Sequence, residues 1–309
     1  MSLSRKEFLK KSLITAAGFS IPGALNGISR PDESITILYT NDTHARLDPF
    51  PENATQFAGL GGIARRASLV KKIRKTKKNV LLLDAGDVFQ GTPWFDVYGG
   101  EVDLKLMSDM HYDAMAVGNH EFDNGPDGFA DAARKAGFPI LAANYHVTGT
   151  PMNEFVRRFI VREIGGFKIG IFGLGIQLNG VVPRHLYGDV QYRDPAIWAE
   201  GLVRSLRIYH RCDLIICLSH LGYHYDDNRI DDIKLAKKVG GIDLIIGGHT
   251  HTFLDTPIEI QNYSGGLTYI TQMGHSGIWL GRIDIEPEEW KRNNRFFARK
   301  YLIGREAGM

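Results

Sequence analysis

Short apolar runs recur along the chain, and each breaks abruptly into a polar cluster. The runs are Ile35-Thr36-Ile37-Leu38-Tyr39, Val80-Leu81-Leu82-Leu83, Ala114-Met115-Ala116-Val117, Leu214-Ile215-Ile216-Cys217-Leu218 and Leu244-Ile245-Ile246. Short β-branched and aliphatic runs of this kind read as buried strands. The full pattern predicts strands near 35–40, 79–84, 112–117, 139–143, 156–173 (a hairpin through Gly165-Gly166), 213–218, 242–246, 256–261, 268–273 and 278–285. Helical periodicity covers about 60–76, 100–110, 126–136, 194–210 and 229–239. Strand and helix alternate early, and strands dominate later. That order predicts two sheets packed face to face with helices outside.

The polar clusters carry the candidate chemistry. In order they are Asp42-x-His44, Gly86-Asp87, Gly118-Asn119-His120-Glu121, Ser219-His220 and Gly247-Gly248-His249-Thr250-His251. Singly, most have a bland explanation: Asp-x-His is ordinary loop chemistry, and Gly-Asp after a strand is a common turn. Gly-His-x-His is stronger, because two imidazoles at alternate positions flanked by glycine suit a metal better than a core. Together, five strand ends offer carboxylate, amide and imidazole groups and no thiolate. Such groups at the ends of neighbouring strands can converge on one point, and their donor set suits a pair of divalent cations.

In this order the motifs resemble those of the calcineurin-like metallophosphoesterase superfamily. Tyr39-Thr40-Asn41-Asp42-Thr43-His44 and Gly118-Asn119-His120-Glu121-Phe122-Asp123-Asn124-Gly125 resemble its 5′-nucleotidase, UDP-sugar hydrolase and 2′,3′-cyclic phosphodiesterase branch. The resemblance runs from about Ile35 to about Ile285. It implies an α/β fold, a four-layer α/β/β/α sandwich forming a single catalytic domain over 31–286. By motif position, Asp42, His44, Asp87 and His251 would hold one metal, and Asp87, Asn119, His220 and His249 a second. Asp87 would bridge the two, and the metals could be Mn, Zn, Co, Fe or Mg. Some members of the branch carry Gln where this chain has His251.

The same resemblance assigns the chemistry. Two cations ~3.5–4 Å apart would share a hydroxide that attacks a phosphate ester, a nucleotide in the leading case. His120 would face the substrate phosphate, with Asp123 orienting its ring and favouring the imidazolium. Glu121 is a structural position in the family and is left out of the ligand set. His275, in Gly274-His275-Ser276-Gly277, is a candidate on the substrate side, whereas His224 reads as a cleft or loop-surface residue. UDP-sugars, 2′,3′-cyclic nucleotides and sulfate-thiol-type conjugates remain alternative substrates for the same centre. A non-catalytic metal-binding subunit of a two-chain complex is the reading from another class.

Composition narrows the setting. With 37 Lys and Arg against 35 Asp and Glu, nothing favours a nucleic acid polymer as partner. The basic run Lys71–Lys78 reads as the solvated end of a helix, where cations suit the helix dipole. No apolar stretch reaches the ~20 residues of a spanning helix, so no transmembrane anchor is expected. Arg5, Lys6, Lys10 and Lys11 precede the apolar run Ser12–Ile21, which reads as an export signal within 1–30 and places the protein in the periplasm or cell envelope. Ser4–Lys10 resembles a twin-arginine signal, except that Lys6 stands where the second arginine belongs.

Cys212 and Cys217, five positions apart in a strand, would lie on opposite faces and ~16 Å apart, too far to bridge. Residues 287–309 read as a charged C-terminal extension, either packed on the domain or docking a separately encoded substrate-recognition domain.

Overall fold

The computed structural model describes residues 34–307, and the expected export signal over 1–30 lies outside them. The strands in chain order are β1 (Ile35–Thr40), β2 (Asn79–Asp84), β3 (Ala114–Ala116), β4 (Ile140–Leu141), β5 (Tyr145–His146), β6 (Val156–Arg157), β7 (Phe159–Ile164) and β8 (Phe167–Gly175). They continue with β9 (Gln191–Tyr192), β10 (Leu214–His220), β11 (Leu244–Gly247), β12 (Ile258–Gln261), β13 (Leu267–Thr271), β14 (Trp279–Ile285) and β15 (Phe297–Leu302). One sheet has the order β15-β14-β1-β2-β3-β4-β6 and a second the order β12-β13-β11-β10-β8-β7, while β5 and β9 form a small ribbon. Strands β1, β2 and β3 run parallel, as do β8, β10, β11 and β13.

The alternation of side chains along each strand builds the layers. Ile35, Ile37 and Tyr39 of β1 share one core with Leu214, Ile216 and Leu218 of β10, which is the seam between the sheets. On its other face, Leu38 packs with Leu69, Val70 and Ile73 of helix α1 (Ile63–Thr76). Two further helices, α2 (Pro93–Tyr98) and α3 (Glu101–Asp109), and α4 (Gly125–Ala133) cover the same side. A short α5 (Arg184–Tyr187) follows. Behind the second sheet, Ile215 and Cys217 meet α6 (Pro195–Ile208) and α7 (Asp232–Lys238) through Leu202, Leu206, Leu235 and Ala236. The result is the α/β/β/α order expected.

Helix α6 starts where Asp194 accepts hydrogen bonds from the Ala196 and Ile197 amides, with Pro195 in the first turn. At the other end of the charge scale, the basic run closing α1 is tied down at Arg74, whose guanidinium donates to the Met110 and His111 carbonyls. No helix among the described residues is long and apolar enough to cross a membrane.

Three local expectations change. The segment 287–309, expected as an extension packed on the domain or docking a partner, is woven into the fold through residue 302: α8 (Pro287–Asn293) buries Trp290, and β15 pairs antiparallel with β14 along its whole length. The boundary drawn at 286 therefore cuts through the seven-stranded sheet. The strand expected over 139–143 shrinks to two residues, because Ala143 already donates to the Gly173 carbonyl of the other sheet. Cys212 and Cys217 are both buried free thiols, but they share one core rather than opposite faces. Cys212 precedes the first residue of β10, so strand alternation does not reach it.

Candidate metal centre

Every polar cluster singled out above falls at the C-terminal end of a parallel strand, on the edge where both sheets meet. Asp42 and His44 follow β1, Asp87 follows β2, Asn119 and His120 follow β3, His220 ends β10, and His249 and His251 follow β11. The chain pays for this convergence in backbone strain. Asp42, His44, Asp87, His249 and His251 all have φ between 49 and 69°. Non-glycine residues rarely adopt this left-handed region, and such outliers cluster at sites that need them.

The side chains close into overlapping groups. Asp42, His44 and His251 bring one ligand-type atom each within 4.8 Å of one another, and so do Asp87, His220 and His249. A third group of His44, Asp87 and His120 links the two. Asn119 joins through its Oδ1, 2.7 Å from His249 Nδ1. His44 Nε2 and His251 Nε2 stand 2.9 Å apart.

Hydrogen bonding behind the rings fixes which nitrogens look inward. His220 Nδ1 donates to the Ala85 carbonyl at 2.8 Å, which leaves the lone pair on Nε2. That Nε2 is buried, makes no well-directed hydrogen bond among the described residues, and lies 2.9 Å from Asp87 Oδ2. His44 Nδ1 likewise faces the Phe89 carbonyl at 3.2 Å. A lone pair held against a carboxylate needs a cation between or beside them, and a ring N–H donated to a backbone carbonyl is how proteins orient imidazole ligands. Divalent metals fit this donor set.

Without a cation, His220 Nε2 takes up a proton in its place: burial opposes the imidazolium, yet the Asp87 carboxylate outweighs it and lifts the group to about 10. Burial and the neighbouring His220 charge push His249 the other way, to about 4. Burial also lowers His44.

A ring of supporting residues holds these groups in place. Glu121 accepts hydrogen bonds from the backbone amides of Asp87, Val88 and Phe89 at 3.0, 2.8 and 3.3 Å, and from Gly118 at 2.5 Å. It clamps the turn after β2 to the turn after β3. Asn41 donates to Asp42 Oδ2 and the Gly274 carbonyl and accepts from the Met273 amide. Gln272 donates to the Gly248 carbonyl. Motif reading passes over Asn41 and Gln272, although their places beside Asp42 and at the end of β13 are the available signal. Gly118 is needed for close approach, since a Cβ there would lie 2.2 Å from Asp87 Oδ1.

The remaining candidates separate clearly. His120 Nδ1 pairs with Asp123 Oδ2 at 2.8 Å, and its ring stands edge-on to His44 at 5.3 Å. Burial disfavours its charged form, but the Asp123 bond and the Asp87 charge prevail and raise its pKa. The His275 ring lies 4.9 Å from the His251 ring, tilted 32° to it. His224 is half exposed beside Asp226 and Asp231 and joins none of the groups.

Comparison with known proteins agrees with this geometry. A family model described as calcineurin-like phosphoesterase matches residues 35–253. The chain is 38% identical over 230 residues to the snake venom 5′-nucleotidase of Naja atra, covering 72% of this chain and 42% of that protein. It is 34% identical over 276 residues to the human 5′-nucleotidase, covering 82% and 47%. Among solved structures, a 5′-nucleotidase precursor from Thermus thermophilus superposes with a TM-score of 0.79 at 32% identity, covering 89% of this chain and 55% of that one. The chain spans less than half the length of the two curated relatives.

Proposed function

The chain belongs to the calcineurin-like phosphoesterase family, and from that premise we propose that it hydrolyses phosphate esters of nucleotides at a two-metal centre. Asp42, His44, Asp87 and His251 would hold one cation, and Asp87, Asn119, His220 and His249 the other. The observation that carries this reading is Asp87, whose carboxylate closes with His44 on one side and with His220 and His249 on the other. When bound, the cations supply Lewis-acid charge and an acidified water.

The protein residues do the rest. Ala85 and Phe89 carbonyls fix the inward nitrogens of His220 and His44, and Glu121 fixes the backbone that carries Asp87. With Nδ1 engaged by Asp123, His120 keeps its other ring nitrogen for the substrate. The carboxylate holds a proton on that ring, and from there it can pass to the oxygen of the departing alcohol. The charge on His120 also offsets negative charge gathering on the phosphoryl group.

The 5′-nucleotidase relatives support a nucleoside monophosphate as substrate, and the charged-then-apolar run at 5–21 supports export to the cell envelope. The test is phosphate release by the purified chain with Mn²⁺, Co²⁺, Zn²⁺ or Mg²⁺. AMP, UMP, UDP-glucose, 2′,3′-cyclic AMP and an aryl phosphate would be compared. Metal-dependent release led by a nucleoside monophosphate is expected, and no release from any ester with any metal would overturn the reading. Equal, weak turnover of all five would instead place specificity on a separately encoded substrate domain.

A further inference from the structure

Helix α1 carries Arg65, Arg66, Lys71, Lys72, Arg74 and Lys75 and not one acid. Arg66 is buried, and Arg74 is engaged by the Met110 and His111 carbonyls. Lys71, Lys72 and Lys75 stand exposed, with Lys78 exposed just beyond the last turn. Lys71, Lys75 and Lys78 form no ion pair among the described residues. Lys71 and Lys75, four positions apart, lie on one side of the helix. The helix dipole favours cations in the last turn only, which accounts for Lys75 and leaves Lys71 and Lys78 without that reason.

Elsewhere along this edge of the sheets, cations are matched. Asp113, Asp213 and Asp243 each stand just before a parallel strand, β3, β10 and β11. They hold Arg162, Lys291 and Arg207 in turn. The positive excess is therefore local to the end of α1.

The same place is where the chain enters the fold. Lys77 Nζ donates to Ser34 Oγ at 3.0 Å, and Asn79 Nδ2 donates to the Ser34 carbonyl at 3.4 Å. From this edge β1 and β2 run six residues each, ~20 Å, to the candidate metal centre at their other ends. Residues 22–33 join Ser34 to the run Ser12–Ile21, which reads as an export signal and lies outside the described residues. A linker of that length spans at most ~40 Å, so a membrane engaged by the run is within reach of these lysines. The metal centre is then on the far edge, open to water.

We infer that Lys71, Lys75 and Lys78 dock this domain on an anionic lipid bilayer. The contact is electrostatic, because the apolar side of α1 is already buried through Leu69, Val70 and Ile73. An anionic leaflet strengthens binding about fivefold for each lysine brought close to it. α1 has no aromatic residue on which a base could stack, which sets the patch apart from a single-strand nucleic acid surface.

Vesicle sedimentation of the full chain tests this. It needs neither metal nor substrate, so its outcome is independent of the phosphoesterase reading. Partition into phosphatidylcholine vesicles containing one-third phosphatidylglycerol would be compared with partition into phosphatidylcholine alone. The anionic vesicles should be preferred, less so as salt shortens the Debye length. Arg5, Lys6, Lys10 and Lys11 add to that preference equally in every variant, so the drop between variants reads the patch. Replacing all three, Lys71→Gln, Lys75→Gln and Lys78→Gln, should lower the preference roughly a hundredfold, and each single change about fivefold. The three corresponding arginine substitutions should keep it.

No anionic preference in the unaltered chain, or a preference unmoved by the glutamine variants, overturns the inference. Retention on immobilised DNA or polyglutamate without vesicle binding also overturns it, and assigns the patch to a nucleic acid or an acidic protein.

Discussion

Asp87 and His220 face each other across the seam of the molecule, carboxylate oxygen to imidazole nitrogen at 2.9 Å, each delivered by a different sheet. Asp87 follows β2 of the seven-stranded sheet, and His220 ends β10 of the six-stranded one. The centre therefore exists only when both sheets are packed together, which makes Asp87 the most vulnerable single point in the proposed chemistry.

Asp87→Asn should weaken both metal positions together. The amide keeps the shape but removes the charge that two cations would share. Bound metal per chain, read by elemental analysis after gel filtration, should fall at both positions, and turnover should drop to near background. A variant that retained full metal content would separate Asp87 from the bridging role.

His120→Asn should behave differently. It leaves the proposed ligands untouched, so metal content should hold while kcat falls by about 10²–10⁴, the range for a lost acid–base group. Asp123→Asn should cost less, because the ring remains and loses only its orienting carboxylate. Loss of metal on replacing His120 would reassign it as a ligand.

Glu121→Gln tests the clamp between two turns. The substitution keeps one acceptor oxygen but converts the other to a donor facing backbone N–H groups. It should cost roughly 1–3 kcal/mol in stability, the penalty for buried groups left unpaired. Metal affinity should weaken about 10–100-fold, as expected for residues that support ligands. Denaturant titration and metal competition would measure the two effects separately.

Asp103 supplies the pH prediction. It is buried on α3, its Oδ2 has no partner among the described residues, and burial raises its pKa to about 7, with Arg66 pulling against the shift. A folded-state pKa above the unfolded value of roughly 3.9 adds stability that is fully present below that value. The contribution is lost as pH rises through about 7. Asp103→Asn should therefore flatten the decline in unfolding free energy between pH ~4 and ~7, a difference of up to about 4 kcal/mol. Urea melts across that interval would show it, and parallel curves for the two proteins would sink the assignment.

Trp290→Ala asks whether the C-terminal segment belongs to the domain. Trp290 is buried, and its indole donates to the Asp213 carbonyl at 3.1 Å. Removing a buried tryptophan typically costs about 3–5 kcal/mol. A loss of that size in the main unfolding transition is expected. A separate early transition with the main one unchanged would show that α8 and β15 fold independently.

The fold is most legible in the sequence where local pattern and position coincide. The runs ending at Tyr39, Leu83, Val117, Leu218 and Ile246 are buried for most of their length, so they announce their strands without any partner being known. The polar groups after them gather because parallel strands deliver their C-terminal ends to one edge. β15 escapes such a reading because Phe297-Ala298-Arg299-Lys300-Tyr301-Leu302 is mostly exposed and owes its shape to pairing with β14. Phe57 is hidden for another reason: a loop phenylalanine has no periodicity, and only the folded chain shows that its ring meets those of Phe50 and His275. Cys212 turns on register alone, since β10 begins two residues after it and alternation starts only there.

The left-handed backbone at Asp42, His44, Asp87, His249 and His251 sets the candidate ligands against their own conformational preference. Glycine adopts that conformation freely, and asparagine tolerates it better than histidine does. Replacing His44, His249 or His251 by glycine would ease the local backbone while removing an imidazole from the centre. Backbone geometry alone gives the fold nothing from these three histidines, so the interactions of their side chains must offset the strain.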